Sequence, residues 1–326
     1  MPAPTFIGWF NCLVLASRPN SRNWRCRRRA AFALGAVTAL TPAAVFFSSP
    51  AQAQEDPLGG VQATAAALDA APPPVSVRGG ELLDATTGAV LWGKDINVGR
   101  PMGSITKVMT ALLVLRAGDL GREIKVTDAA IRYVNRDGAS SAGLIAGDWL
   151  TARQLLEAML LPSGCDAAYL LATSYGPGRT AFVAKMNAMA AAMGMPSTHF
   201  SWFDGMPYPT ETSTYSSPAN LIRLGERAMR NAIFRSIVAQ RRYYLPATHL
   251  HHSYLWHTTD QLIGSYRGAI GIKTGDTKAA GNCLLFEVRR DGITLIGVVQ
   301  HANPTSNPNS AFPAAEQLLN WGFRRV

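Results

Sequence analysis

Apolar residues in this chain come in runs bounded by turn formers, and the runs differ in kind. Glu81-Leu82-Leu83-Asp84 and Ala89-Val90-Leu91-Trp92 flank Ala85-Thr86-Thr87-Gly88, which predicts a β-hairpin. A second hairpin is predicted where Cys283-Leu284-Leu285-Phe286-Glu287-Val288 and Ile293-Thr294-Leu295-Ile296-Gly297-Val298-Val299 flank Arg289-Arg290-Asp291-Gly292. Gly268 to Thr277 predicts a strand just before it. Between the hairpins the spacing turns helical. Val108-Met109-Thr110-Ala111-Leu112-Leu113-Val114-Leu115 follows Pro101 and Gly103 and meets no breaker until Gly118, so it reads as a buried helix. Thr151-Ala152-Arg153-Gln154 has capping-box spacing and opens a helix through Leu155, Leu156, Met159, Leu160 and Leu161. Pro162-Ser163-Gly164 stops that helix, and Cys165 to Ala172 starts another. Thr180 to Met193 and Pro218 to Met229 are two more, with Met186, Met189 and Met193 expected as core filler. Ala311 to Phe323 reads as a closing amphipathic helix. Ile124 to Asp148 is expected to hold loops and small strands. Ser201 to Ser217 is a long irregular segment of a kind that is often functional. The order predicts an α+β fold, an antiparallel sheet covered by helices with an inserted all-helical subdomain.

The amino-terminal stretch does not fit that pattern. Arg25-Cys26-Arg27-Arg28-Arg29 precedes Ala30 to Phe47, apolar apart from Thr38, and Ala51-Gln52-Ala53 follows. A charged region, an apolar region and an Ala-x-Ala site read as a signal peptide over 1–53, cleaved after Ala53. An uncleaved membrane anchor is the alternative, and membrane contact is expected only in that case. Arg27-Arg28-Arg29 leaves a twin-arginine route open. Residues 54–77, rich in Ala, Pro and Gly, read as a linker, and 78–326 as one folded domain. The body is therefore expected to be exported, in an extracytoplasmic, wall-associated or secreted location.

Charge changes meaning once the leader is set aside. The formal net charge is +10, but residues 1–53 hold six Arg and no acid. The remainder carries 25 basic and 21 acidic residues, a charge of about +4, which does not demand nucleic acid. Cys165 and Cys283 are the body's two cysteines, and no CxxC pair supports a zinc or redox site. They read as two separate thiols rather than a disulfide. His249, His251, His252 and His257 cluster, but no acid or Cys accompanies them at ligand spacing, so no metal is expected.

Candidate chemistry begins at Ser104-Ile105-Thr106-Lys107. Residues three apart on a helix share a face, so Lys107 can reach the Ser104 hydroxyl. A serine nucleophile needs a base within hydrogen-bond reach, and a lysine can serve. A serine cap beside a solvent-facing lysine fits the same four residues. Two further motifs add weight. Pro162-Ser163-Gly164-Cys165 sets a serine in a tight turn between helices. Ile272-Lys273-Thr274-Gly275 sets a cation and a hydroxyl on a strand, with Gly275 allowing close approach of a ligand backbone.

Together these motifs resemble those of the penicillin-recognising serine enzymes, with their SxxK, SxN and KTG sequences. More narrowly, the chain is similar to the low-molecular-mass D-alanyl-D-alanine carboxypeptidases. Leu83-Asp84-Ala85 and Gly88 before the serine, Met109-Thr110-Ala111-Leu112 after it, and Gly264-Ser265-Tyr266 before Gly271 match that subfamily. The resemblance runs from about Gly80 to Phe323 and makes 78–326 a penicillin-binding carboxypeptidase domain. It implies removal of the terminal D-alanine from peptidoglycan stem peptides ending in D-Ala-D-Ala, without a cofactor, with β-lactams as acylating inhibitors. It implies Ser104 as acylated nucleophile, Lys107 as its base with Lys273 nearby to assist, and Ser163 as proton relay. Lys273, Thr274 and Gly275 would bind the substrate terminus. The backbone N–H groups of Ser104 and Asp276 would form the oxyanion hole. In one departure, Cys165 stands where the family has the SxN asparagine, and a thiol is a weak substitute for an amide as substrate anchor. Two other readings stand beside this one. A class A-like β-lactamase needs a glutamate after SxN, and only Glu211 is offered. A non-catalytic wall-binding protein of the same fold would tolerate Cys165.

Overall fold

The computed structural model of the chain describes residues 71–302 and 310–326. The expected signal peptide and the linker as far as residue 70 lie outside the described residues. Five antiparallel strands form the main sheet: β1 (Gly79–Asp84), β2 (Ala89–Lys94), β3 (Ala269–Thr277), β4 (Gly281–Arg290) and β5 (Ile293–Ala302). Their spatial order is β3-β4-β5-β1-β2. Both predicted hairpins are present, and the sheet joins them: Gly79 of β1 faces Gln300 of β5, and Asp84 faces Leu295. Asp291 and Gly292 alone make the second turn, both at positive φ (50° and 84°), the two-residue geometry that matches strand twist.

β4 is buried from Gly281 to Val288 because both faces of the sheet are covered. Its side chains still alternate. Leu284, Phe286 and Val288 join a core cluster with the closing helix, while Cys283 and Leu285 join the cluster on the other face. β5 divides likewise, with Leu295 and Val299 on the first side and Ile296 and Val298 on the second. The near-continuous apolar run of a central strand therefore conceals two cores.

The second face carries most of the helices. A short 3-10 turn (Gly103–Thr106) leads into α1 (Lys107–Ala117), which stops at Gly118. Then come α2 (Asp128–Asp137), α3 (Ala152–Leu160), α4 (Cys165–Tyr175), α5 (Arg179–Ala192) and α6 (Pro218–Met229). α7 (Ala232–Val238) and α8 (Ala311–Gly322) complete the eight α-helices among the described residues. The expected capping box opens α3, with Thr151 and Gln154 each bonding the other's backbone. Met186 of α5 is fully buried, and Met189, with Met193 just past the helix end, packs against the core. α6 crosses the sheet at Gly225, whose missing side chain admits Ile272, Leu285 and Ile296.

Three elements differ from expectation. Residues 128–137 form α2 rather than loops and small strands. Thr127 caps it by accepting from Ala130 N, and only Ala130, Tyr133 and Val134 are buried, so its apolar stripe is narrow. α7 is seven residues long, held by Asn231, whose side chain accepts from both Ile233 N and Phe234 N. The histidine-bearing stretch ends in a two-stranded sheet that pairs Arg242–Leu245 with Tyr254–His257. His252 bonds Asp148 there at 2.9 Å. Among the described residues no helix is long and apolar enough to cross a membrane.

Candidate active site

The 3-10 turn sits against β3, and glycines allow it. A Cβ on Gly275 would collide with the Met102 carbonyl, so only glycine lets strand and turn meet there. A Cβ on Gly205 would strike the Gly103 carbonyl, which brings the irregular 201–217 segment against the same turn. The cleft between them has a volume of about 390 Å³, and its walls include Ser104, Ser163, Thr274, Gly275 and Asp276. Five sequence-predicted positions, 172 residues apart at the extremes, therefore face one space.

Lys107, Lys273 and Cys165 lie behind that surface. Side chains at i and i+3 of a 3-10 turn eclipse each other, which sets Lys107 over Ser104. Lys107 Nζ donates to Ser104 Oγ at 2.6 Å, to Ser163 Oγ at 3.4 Å and to the Asp204 carbonyl at 3.2 Å. These partners are two hydroxyls and a carbonyl, with no carboxylate. Ser163 has φ 64°, a left-handed conformation that the turn between α3 and α4 requires and that delivers its hydroxyl to Lys107.

Lys273 is fully enclosed, and its Nζ donates to Thr274 O and Thr274 Oγ1, both at 3.2 Å. Burial pushes its pKa down to about 7, and the neighbouring charge of Lys107 adds to that, against the pull of Asp260. Asp260 is itself raised to about 6, chiefly by burial. Thr274 Oγ1 is also tied to Thr259 Oγ1 at 2.7 Å. Cys165, the first residue of α4, is buried beneath the Ser163 turn and does not line the cleft. Burial, with the nearby charge of Asp204 adding, raises its thiol to about 12, so at neutral pH it is a small protonated side chain. Cys165 and Cys283 are both free, and Cys283 lines the cleft. Glu211 is exposed and is not among the lining residues.

The sequence reading missed a supporting chain. Asp204, whose carbonyl receives Lys107, accepts from Tyr133 OH at 2.7 Å, and Tyr133 OH accepts from Trp202 Nε1 at 3.0 Å. Tyr133 stands on the α2 that the sequence concealed. Asp260 and Thr259 were missed as well. None of these five sits in a motif, and a buried acid in an irregular segment was the one available hint.

The fold and the cleft are those of a penicillin-recognising serine enzyme. A family model described as D-alanyl-D-alanine carboxypeptidase, peptidase family S11, matches residues 67–304, and the chain belongs to that family. A D-alanyl-D-alanine carboxypeptidase of Streptomyces sp. strain K15 is 39% identical over 278 residues, covering 82% of this chain and 92% of the relative. The D-alanyl-D-alanine carboxypeptidase DacB2 of Mycobacterium tuberculosis is 36% identical over 245 residues, 74% of this chain and 80% of the relative. The crystal structure of the Streptomyces K15 DD-transpeptidase superposes with a TM-score of 0.73 at 36% identity, over 78% of this chain and 99% of that one. The chain is thus a hydrolase, a serine-type D-Ala-D-Ala carboxypeptidase, and neither the class A-like β-lactamase nor the non-catalytic reading is favoured.

Proposed function

We propose that Ser104 carries the acyl-enzyme and that Lys107 activates it. Ser104 Oγ attacks the carbonyl carbon of the penultimate D-alanine while its proton passes to Lys107 Nζ. The carbonyl oxygen becomes an oxyanion that accepts from the backbone N–H groups of Ser104 and Asp276. Asp276 N lies beside Gly103, next to the nucleophile's own amide. The C–N bond then breaks, and Ser163 relays the proton from Lys107 to the departing amine. Water, deprotonated along the same path, releases the shortened peptide. Lys273 and Thr274 hold the terminal carboxylate, with Thr274 Oγ1 at the cleft and Lys273 supplying positive charge behind it. β-Lactams acylate the same hydroxyl.

The observation that carries this reading is one buried amine within hydrogen-bond distance of both hydroxyls, at 2.6 Å and 3.4 Å. Cys165 fills a fully buried position, which accounts for its retention without any bond to substrate. The domain layout proposed is a leader over 1–53, a linker over 54–77 and a catalytic domain over 78–326. The leader directs export, so the enzyme acts outside the cytoplasmic membrane on peptidoglycan. The test is intact-mass detection of a penicillin adduct together with D-alanine release from a diacyl-Lys-D-Ala-D-Ala peptide. A Ser104→Ala protein should show neither; continued D-alanine release by that variant would end the proposal.

A further inference from the structure

A second cavity adjoins the catalytic cleft, and the chemistry above makes no use of it. Its volume is about 1080 Å³ against about 390 Å³ for the cleft, and Met206 lines both. Recognition of a D-Ala-D-Ala terminus needs only the smaller space. The larger is at the top of the range for ligand sites and borders the nucleophile's chamber.

Its walls are built for recognition. Trp202 and Tyr208 stand with ring centroids 4.5 Å apart, and Tyr208 is exposed. Tyr169 forms another wall, with the Arg179 guanidinium 4.2 Å above its ring and 5.7 Å from that of Trp202. Arg179 Nε is buried and has no hydrogen-bond partner among the described residues. A buried donor left unbonded is costly and marks a place where an acceptor is expected. Arg132, one turn along α2 from the cavity's Arg136, also lines the space, and its side chain makes no ion pair or hydrogen bond among the described residues. The cavity's one lining acid, Asp137, is engaged by Arg136 at 2.7 Å, so the charge of Arg132 and Arg179 is left uncompensated. An unpaired guanidinium against aromatic faces, with a second unpaired guanidinium lining the same space, suits a carboxylate attached to a partly apolar chain.

We propose that this cavity is a subsite for the peptide upstream of the scissile bond, and that Arg179 and Arg132 bind a free carboxylate on that upstream segment. The inference rests on the carboxypeptidase reading of the neighbouring cleft. Tyr208 and Trp202 cover the backbone and apolar part of the segment, while Met206 forms the ridge over which it passes toward Ser104. The enzyme therefore distinguishes peptides by a charge several bonds away from the one it cuts.

The experiment compares kcat/KM for three peptides ending in D-Ala-D-Ala. One is a diacyl tripeptide without an upstream acid, one a pentapeptide with a free upstream carboxylate, and one the same pentapeptide with that carboxylate amidated. The acidic pentapeptide should be favoured about tenfold over both others. Arg179→Gln and Arg132→Gln should each remove most of that preference and leave tripeptide hydrolysis as it is, and Arg179→Lys should restore part of it. Tyr208→Ser should weaken all pentapeptides alike. Equal rates for the acidic and amidated pentapeptides, or arginine variants that slow the tripeptide as much as the pentapeptide, would overturn the proposal. Failure of the wild-type protein both to cleave the tripeptide and to take up penicillin would instead strike the cleft reading on which it rests.

Discussion

The two adjoining cavities treat positive charge in opposite ways. In the cleft, Lys107 and Lys273 are enclosed, with hydroxyls and carbonyls for hydrogen-bond partners. In the larger cavity, the Arg179 guanidinium lies against the rings of Tyr169 and Trp202, and Arg132 lines the same space. Enclosure brings the Lys273 pKa down to about 7, which makes its charge negotiable near neutral pH. A guanidinium stays charged whatever surrounds it and serves recognition. Met206 lines both the cleft proposed for proton transfer and the cavity proposed for charge recognition.

The sharpest break in that comparison is to remove an amine from the cleft. Lys107→Met should slow penicillin acylation by about 10³-fold or more, the scale of a lost general base. Stopped-flow acylation measures it. A comparable loss from Arg132→Gln would erase the distinction between the two chambers.

Next comes pH. Lys273 has its pKa lowered to about 7, so in the free enzyme it is charged below that pH and neutral above it. A substrate carboxylate needs the charged form. kcat/KM should therefore fall as pH rises through about 7, and Lys273→Arg, charged throughout, should flatten that limb. Profiles of kcat/KM between pH 5 and 9 decide the point. A bound carboxylate raises the lysine pKa again, so the limb in kcat should lie at higher pH.

A smaller effect is expected where the two chambers share a wall. Tyr133→Phe removes the donor to Asp204 Oδ2 and leaves the buried carboxylate only the Met206 N–H on Oδ1, at a cost of roughly 1–3 kcal/mol in stability by denaturant midpoint. The smallest effect concerns the thiols. Cys165 and Cys283, both raised to about 12 by burial, should resist alkylation at pH 7.5 until the protein is unfolded. Mass spectrometry after iodoacetamide treatment checks it.

Much of this was legible in order along the chain. Both hairpins, the Thr151 capping box, the Pro162-Ser163-Gly164 stop and the helix beginning at Pro218 follow from local spacing and turn chemistry. α2 was not, because its stripe is three residues wide and its polar positions look like loop. Among site residues, those in motifs were found. Asp204, Tyr133, Thr259 and Asp260 were not, because each gains its role from a partner far along the chain. Lys107 meets Asp204 across 97 positions, and Tyr133 meets it across 71.

The sequence by itself determined which groups were available: a serine one short turn before a lysine, a second serine held in a tight turn, a lysine and threonine on a strand, and the periodicities that lay sheet under helices. Those are properties of neighbours within a few residues, where spacing and backbone geometry decide. Only the tertiary structure decided how deep each amine lies, which hydroxyls it meets, and that a charged aromatic cavity opens next to the cleft. Desolvation and Coulomb interaction depend on what surrounds a group in space, and those surroundings are drawn from every part of the chain.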